Sequence, residues 1–241
     1  MVRSTGTLAA MELVFAIVAA LVASILAIEL FLSWRSRRRL HAEVWMMAFA
    51  AFALAAWALV VGLGFGWTSI SFRAFFFLGA IANIPLLAVG SVALVVSDKA
   101  ARRVLNPTIL WLVLGFFATF MAPFVAEFSD GHIPEGSDVF GYTFMIDAVT
   151  FPGPRLFAAI SGAVGTIVIV VLSVVTIVRS AKSNPRLAKA NAMIVAGVVV
   201  AAAGGVFTAL GESAGLSLSL MIGILLLWFG YRMAVNSRAN L

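Results

Sequence analysis

Arg73-Ala-Phe-Phe-Phe-Leu-Gly-Ala-Ile-Ala-Asn83-Ile-Pro85-Leu-Leu-Ala-Val-Gly-Ser91 decides how this chain must be read. No charged residue occurs between Arg73 and Asp98. A helix needs about 20 largely apolar residues to cross a hydrocarbon core of about 30 Å, and this run supplies them. Asn83 and Pro85 fall near its middle. Pro85 has no N–H to donate and its ring clashes with the carbonyl of Ile81, so a kink is expected there. Hydrocarbon offers no water to the freed carbonyl. Asn83 can supply a donor, or bond to a neighbouring helix. Two readings stay open: a broken helix lining a midplane substrate site at Asn83 and Pro85, and a packing kink with Asn83 as interhelical glue.

The rest of the chain has the same character. Of 241 residues, 63% are hydrophobic and 11% charged, against about a quarter charged in soluble domains. Such a chain belongs in lipid. Spans are expected over Met11–Trp34, Val44–Leu63, Ala74–Val96, Ile109–Ala126, Leu156–Val178, Ala190–Leu210 and Leu216–Met233. The fold class is therefore an all-α membrane protein, a single seven-transmembrane-helix bundle over residues 1–241. The first span is too long for a signal-peptide core and its charge cluster follows it, so it reads as an uncleaved anchor.

Thirteen of the sixteen Lys and Arg residues fall on one side of this topology: Arg35, Arg37, Arg38, Arg39, Lys99, Arg102, Arg103, Arg179, Lys182, Arg186, Lys189, Arg232 and Arg238. Only Arg3, Arg73 and Arg155 fall on the other. The positive-inside rule assigns the thirteen to the cytoplasm, with the N-terminus outside and the C-terminus cytoplasmic. The expected location is a bacterial plasma membrane, with the lipid bilayer as first partner. Despite a net charge of +6, no basic patch interleaved with aromatics points to nucleic acid.

Junctions read as helix punctuation. Asn106-Pro107 and Asn184-Pro185 each place a capping side chain before a proline suited to the first helical position. Trp67, Phe72, Phe75, Trp111, Trp228 and Tyr231 read as headgroup-level anchors.

Other features bear on function. Glu12, Arg73, Glu127, Arg155 and Glu212 each lie within about a turn of an outer helix end. They form an ion-pair network, a vestibule with Arg73 and Arg155 as anion ligands, or separate charges that snorkel to water. Glu29 lies inside the first span, where an ionisable group suggests function; arginines within the next ten residues offer pairing instead. Gly197, Ala201, Gly205 and Ala209 make a small-residue stripe, matched by Ser161 and Gly165, which reads as a packing surface within the monomer or between protomers. The 127–155 connection is the one long extracytoplasmic loop, a lid or partner contact or else a plain acidic connector. Its Asp130, His132 and Glu135 lack diagnostic metal spacing.

Absences narrow the chemistry. There is no cysteine, and the lysines Lys99, Lys182 and Lys189 all lie in connections, so no buried lysine awaits retinal. His41 and His132 lie in connections too, which argues against haem within the bundle, and neither an HExxH nor a P-loop pattern occurs. The expectation is no enzyme, no cofactor and no bound metal.

The stretch from Trp45 through Ser91, with Trp57, Gly62, Gly66-Trp67, Phe72-Arg73, Gly79-Ala80, Asn83-Ile-Pro85-Leu and Gly90-Ser91, resembles a group of actinobacterial seven-helix integral membrane proteins. The resemblance covers the second and third spans, and elsewhere only topology and length. It implies location and fold and assigns no activity. A more distant likeness is to the seven-helix sensory modules of bacterial histidine kinases. Ending soon after its last span, this chain would have to signal through a separate partner. A three-plus-one-plus-three repeat of the SWEET type finds no support in the residues. The functional expectation is a non-enzymatic ligand-, lipid- or partner-binding module with a sensory or assembly role, acting with a membrane-protein partner or as a homo-oligomer. The alternative is a small-solute transporter or channel using the Asn83/Pro85 kink.

Overall fold

A computed structural model describes residues 2–125, 128, 133–134, 139–209 and 213–239, with only the backbone for 2–9, 206–209, 213–214 and 237–239. The helices are α1 (Val2–Arg37), α2 (Leu40–Phe65), α3 (Ser69–Phe76), α4 (Asn83–Val95), α5 (Asp98–Met121), α6 (Pro154–Ser180), α7 (Pro185–Ala209) and α8 (Ser213–Ala239). A π-helical segment, Phe77–Ala82, joins α3 to α4 without a break. With those three counted as one, seven helical segments among the described residues are long and apolar enough to cross a membrane. The chain is a multi-pass, all-α membrane protein.

Six of the spans close a ring. α1 packs on α2 and α8, α2 on α4, α4 on α6, α6 on α7, and α7 on α8. The remaining span, α5, packs against α4 and α6 and is the least buried. The first span shows why such a ring holds in lipid. Its buried face is Ala16, Ala19, Ala20, Ala23, Leu26 and Leu30, while larger Val14, Leu21, Ile25, Ile28 and Leu32 face outward. Hydrocarbon gives no hydrophobic drive between helices, so small residues that admit close approach carry the packing.

The tightest approach lies between α7 and α8. A Cβ on Gly197 would sit 2.8 Å from the carbonyl oxygen of Gly223, and one on Gly223 would sit 2.9 Å from that of Gly197. Within α2 and α4, the Trp45 indole lies flat against Gly90 and donates to the Leu87 carbonyl at 3.1 Å.

Several sequence expectations shift here. α5 begins at Asp98, not Ile109, because Ser97 caps it, its hydroxyl accepting from the Ala100 N–H at 3.1 Å. Pro107 therefore lies inside the helix, and Asn106 does not cap its start. Asn184 does cap α7, accepting from the Leu187 N–H at 3.0 Å. The third span starts at Ser69, five residues before Ala74, where Thr68 and Ser71 form a reciprocal cap. Arg73 is thereby drawn inside the span.

The 127–155 connection carries ordered structure in its second half. Strands β1 (Thr143–Ile146) and β2 (Val149–Pro152) pair antiparallel with Ile146 opposite Val149. Asp147 and Ala148 make the turn with φ of +46° and +66°, as a two-residue hairpin of the primed type requires. The left-handed region costs a residue bearing Cβ about 1–2 kcal/mol.

Two outcomes follow from this packing. Gly197→Leu should destabilise the α7–α8 contact by about 1–3 kcal/mol, read as a lower thermal midpoint in detergent. Ala148→Gly should stabilise the hairpin by about 1 kcal/mol, read as slower amide exchange at Phe144 and Phe151.

Candidate functional site

The site begins with the backbone at the middle of the third span. The Asn83 N–H donates to the carbonyl of Leu78, five residues back, so the helix widens just before Pro85. Asn83 opens α4, which places Pro85 in its first turn. A missing N–H is tolerated in a first turn. A six-residue π-helical segment thus precedes Pro85, ending one residue before Asn83.

Asn83 is 8% exposed, and its Oδ1 has no hydrogen-bond partner among the described residues. A buried acceptor left unsatisfied costs about 1–3 kcal/mol. Asn83 is also one of the residues lining a cavity of about 490 Å³ between α2, the third span, α6, α7 and α8. The size falls in the range of small-molecule sites. Among the described lining residues only Asn83, Arg155 and Thr166 are polar. The other walls are alkyl, aromatic or glycine, including Phe49, Phe52, Ala55, Ile84, Leu87, Val198 and Leu220.

Glycine and alanine make the space. A Cβ at Gly162 or Gly205 would meet nothing within 4 Å, and Gly79, Ala80, Ala158, Ala201 and Ala202 also line the cavity. The expected packing stripe on α7 therefore divides. Gly197 packs on α8, Ala201 touches both α8 and the cavity, and Gly205 faces the cavity. Ala209 has only its backbone described. On α6, Ser161 accepts from the Trp111 indole N–H at 2.9 Å. A Cβ on Gly165 would lie 3.2 Å from the Ile84 carbonyl carbon. Both are contacts within the monomer.

An aromatic cluster closes one end of the cavity. Phe72 is fully buried, with Trp67, Phe75, Phe76, Phe124, Phe128 and Phe140 around it at centroid distances of 5.4 to 6.3 Å. Phe72 is therefore a core residue and not a headgroup anchor. Trp111 is likewise inside the bundle, because α5 starts ahead of it, and stacks near Phe157 at 4.5 Å. Ile133 and Pro134 complete this end of the lining.

Arg73 and Arg155, the two arginines of the expected outer charge cluster, have different neighbours. Arg73 donates to the carbonyls of Thr119 and, at 2.9 Å, Ala122, with its guanidinium 4.2 Å from the Phe124 ring centroid. These carbonyls end α5, where the helix dipole is negative and no intrahelical donors remain. Arg73 is a clamp on α5. Arg155, by contrast, borders the cavity and lies 4.3 Å over the Tyr142 ring of the hairpin. Glu12 is buried at 5% exposure, and Glu127 and Glu212 lie outside the described residues.

Glu29 pairs at 3.7 Å with Arg232 of α8 and not with the arginines that follow it in sequence. Asp130, His132 and Glu135 lie outside the described residues; among the described ones no cluster of metal-ligating side chains occurs. Sequence reasoning missed Gly162, Thr166 and Phe76. Ala158, Gly162 and Thr166 repeat at four-residue spacing, one position along from the Ser161/Gly165 pair that was singled out.

The fold and cavity define a multi-pass membrane protein of seven helical spans with a largely apolar cavity between them. No protein-family model matches the chain, and comparison with curated proteins finds no significant match. Its functional reading rests on geometry.

Replacing Arg73 with Gln removes charged donors from two buried carbonyls. The expected loss is about 1.5–3 kcal/mol of stability, measured by thermal unfolding in detergent, with no change in occupancy of the central cavity.

Proposed function

We propose that this chain is a non-enzymatic ligand-binding module of a bacterial plasma membrane, with its N-terminus outside and a sensory or assembly role. Its ligand is an amphiphile whose apolar body fills the central cavity and whose hydroxyl or amide N–H donates to Asn83 Oδ1. The observation that carries this reading is the buried Asn83 side chain, with an oxygen that has no partner among the described residues, in the lining of a largely apolar cavity. Arg155 at the aromatic end suits an anionic or polar head group. The likeness to seven-helix sensory modules supports a role in which occupancy is passed to a membrane-protein partner or a second copy. The excess of Lys and Arg at one end supports the orientation.

The reading is tested with 11-(dansylamino)undecanoic acid and its alcohol analogue, read by energy transfer from tryptophan in nanodiscs. Asn83→Leu should weaken binding about tenfold, equivalent to about 1.4 kcal/mol, with a thermal midpoint that is not lowered, since the variant removes an unsatisfied buried acceptor. Gly162→Phe, placed where nothing lies within 4 Å, should abolish it. Equal affinity in the wild type and both variants would overturn the site.

One observation favours a second reading. The π-helical segment breaks the third span's regular ladder at mid-membrane depth, as do the discontinuous helices of many transporters. On that reading the protein moves a small solute past Asn83. Proteoliposomes should then show solute flux that Gly162→Phe blocks; no flux across a solute panel would contradict it.

A further inference from the structure

At the arginine-rich end of the bundle lies a second, separate cavity of about 940 Å³, with residues from α1, α2, α4, α6, α7 and α8 in its walls. Four arginines from three different parts of the chain are among the residues that line it. Arg37 ends α1 and Arg39 follows it, Arg179 comes from the end of α6, and Arg232 from α8. His41 adds an imidazole, and Glu29 is the only carboxylate among the described lining residues. Glu29 is already engaged with Arg232 at 3.7 Å, which leaves Arg37, Arg39 and Arg179 as charge without a counter-ion in the wall.

The positive-inside rule accounts for basic residues at this end but does not account for their sorting. The chain has three lysines, Lys99, Lys182 and Lys189, all placed at this end by the alternation of spans, and none lines the cavity. Its basic lining is Arg37, Arg39, His41, Arg179 and Arg232, while Arg35, Arg38, Arg102, Arg103 and Arg186 lie outside it with the lysines. A guanidinium presents a planar fork of donors that matches phosphate oxygens two at a time, which an ammonium does not. Ser183 and Tyr231 place hydroxyl groups in the same wall, and Trp45, Leu94 and Ile194 give it an apolar floor.

We infer that this cavity binds a phosphoryl group through Arg37, Arg39 and Arg179. Two sources share that chemistry: the phosphate of an anionic lipid whose chains lie along the apolar floor, and a free phosphate or pyrophosphate from solution. The inference is independent of the central cavity and of any ligand held there.

The full chain is tested in detergent with two probes: inorganic pyrophosphate by calorimetric titration, and phosphatidylglycerol against phosphatidylcholine by native mass spectrometry. Arg37→Gln and Arg179→Gln should each weaken the bound probe about tenfold, while Arg103→Gln and Lys99→Gln, at the same end but outside the cavity, should leave it unchanged. Glu29→Gln should tighten binding several-fold by releasing Arg232. Selective binding of phosphatidylglycerol alone assigns the site to a lipid headgroup; binding of pyrophosphate assigns it to a soluble anion. The inference is overturned if the control variants weaken binding as much as the cavity variants, or if neither probe binds.

Discussion

Pro85 lies in the middle of a segment that must cross hydrocarbon, where no water can repair a broken hydrogen-bond ladder. The third span meets that constraint by widening over Phe77–Ala82, so that Pro85 falls in the first turn of the helix that follows. The consequence reaches across the bundle. Phe72, Phe76, Gly79, Ala80, Asn83 and Leu87 all line one chamber through the widened turn. The amide of Asn83 is held in that wall with its oxygen unmatched. π-helical turns of this kind are often found where a helix serves a site.

The arginines divide by task, and the division follows from what each one meets. Arg73 enters the span far enough to reach the carbonyl end of α5, where orphan acceptors and the helix dipole hold it. It secures the peripheral span to the third one. Arg155 follows Pro154 at the start of α6 and lies between the hairpin and the central chamber. At the opposite end Arg37, Arg39, Arg179 and Arg232 line a concave wall.

Much of the architecture was legible in the residues. Span number follows from apolar run length alone, and Asn184-Pro185 marked the start of α7 because nothing stronger precedes it. Asn106-Pro107 misled because Ser97 caps the same helix nine residues earlier, and a proline can be carried within a helix already capped. That Asn83 lies well inside an apolar span could be read from Arg73–Ser91; the π-helical form could not, since it depends on how neighbouring helices pack. The small-residue stripes were visible, but whether a glycine admits a helix, as Gly197 does, or leaves a void, as Gly205 does, is set by the facing span.

The most direct measurement is native mass spectrometry of the protein extracted gently from its own membrane, wild type beside Asn83→Leu. The wild type should carry a small amphiphile, released on activation as a defined mass and missing from the variant. Bare wild-type protein, or an adduct that Asn83→Leu retains in full, would contradict a ligand held at the Asn83 oxygen.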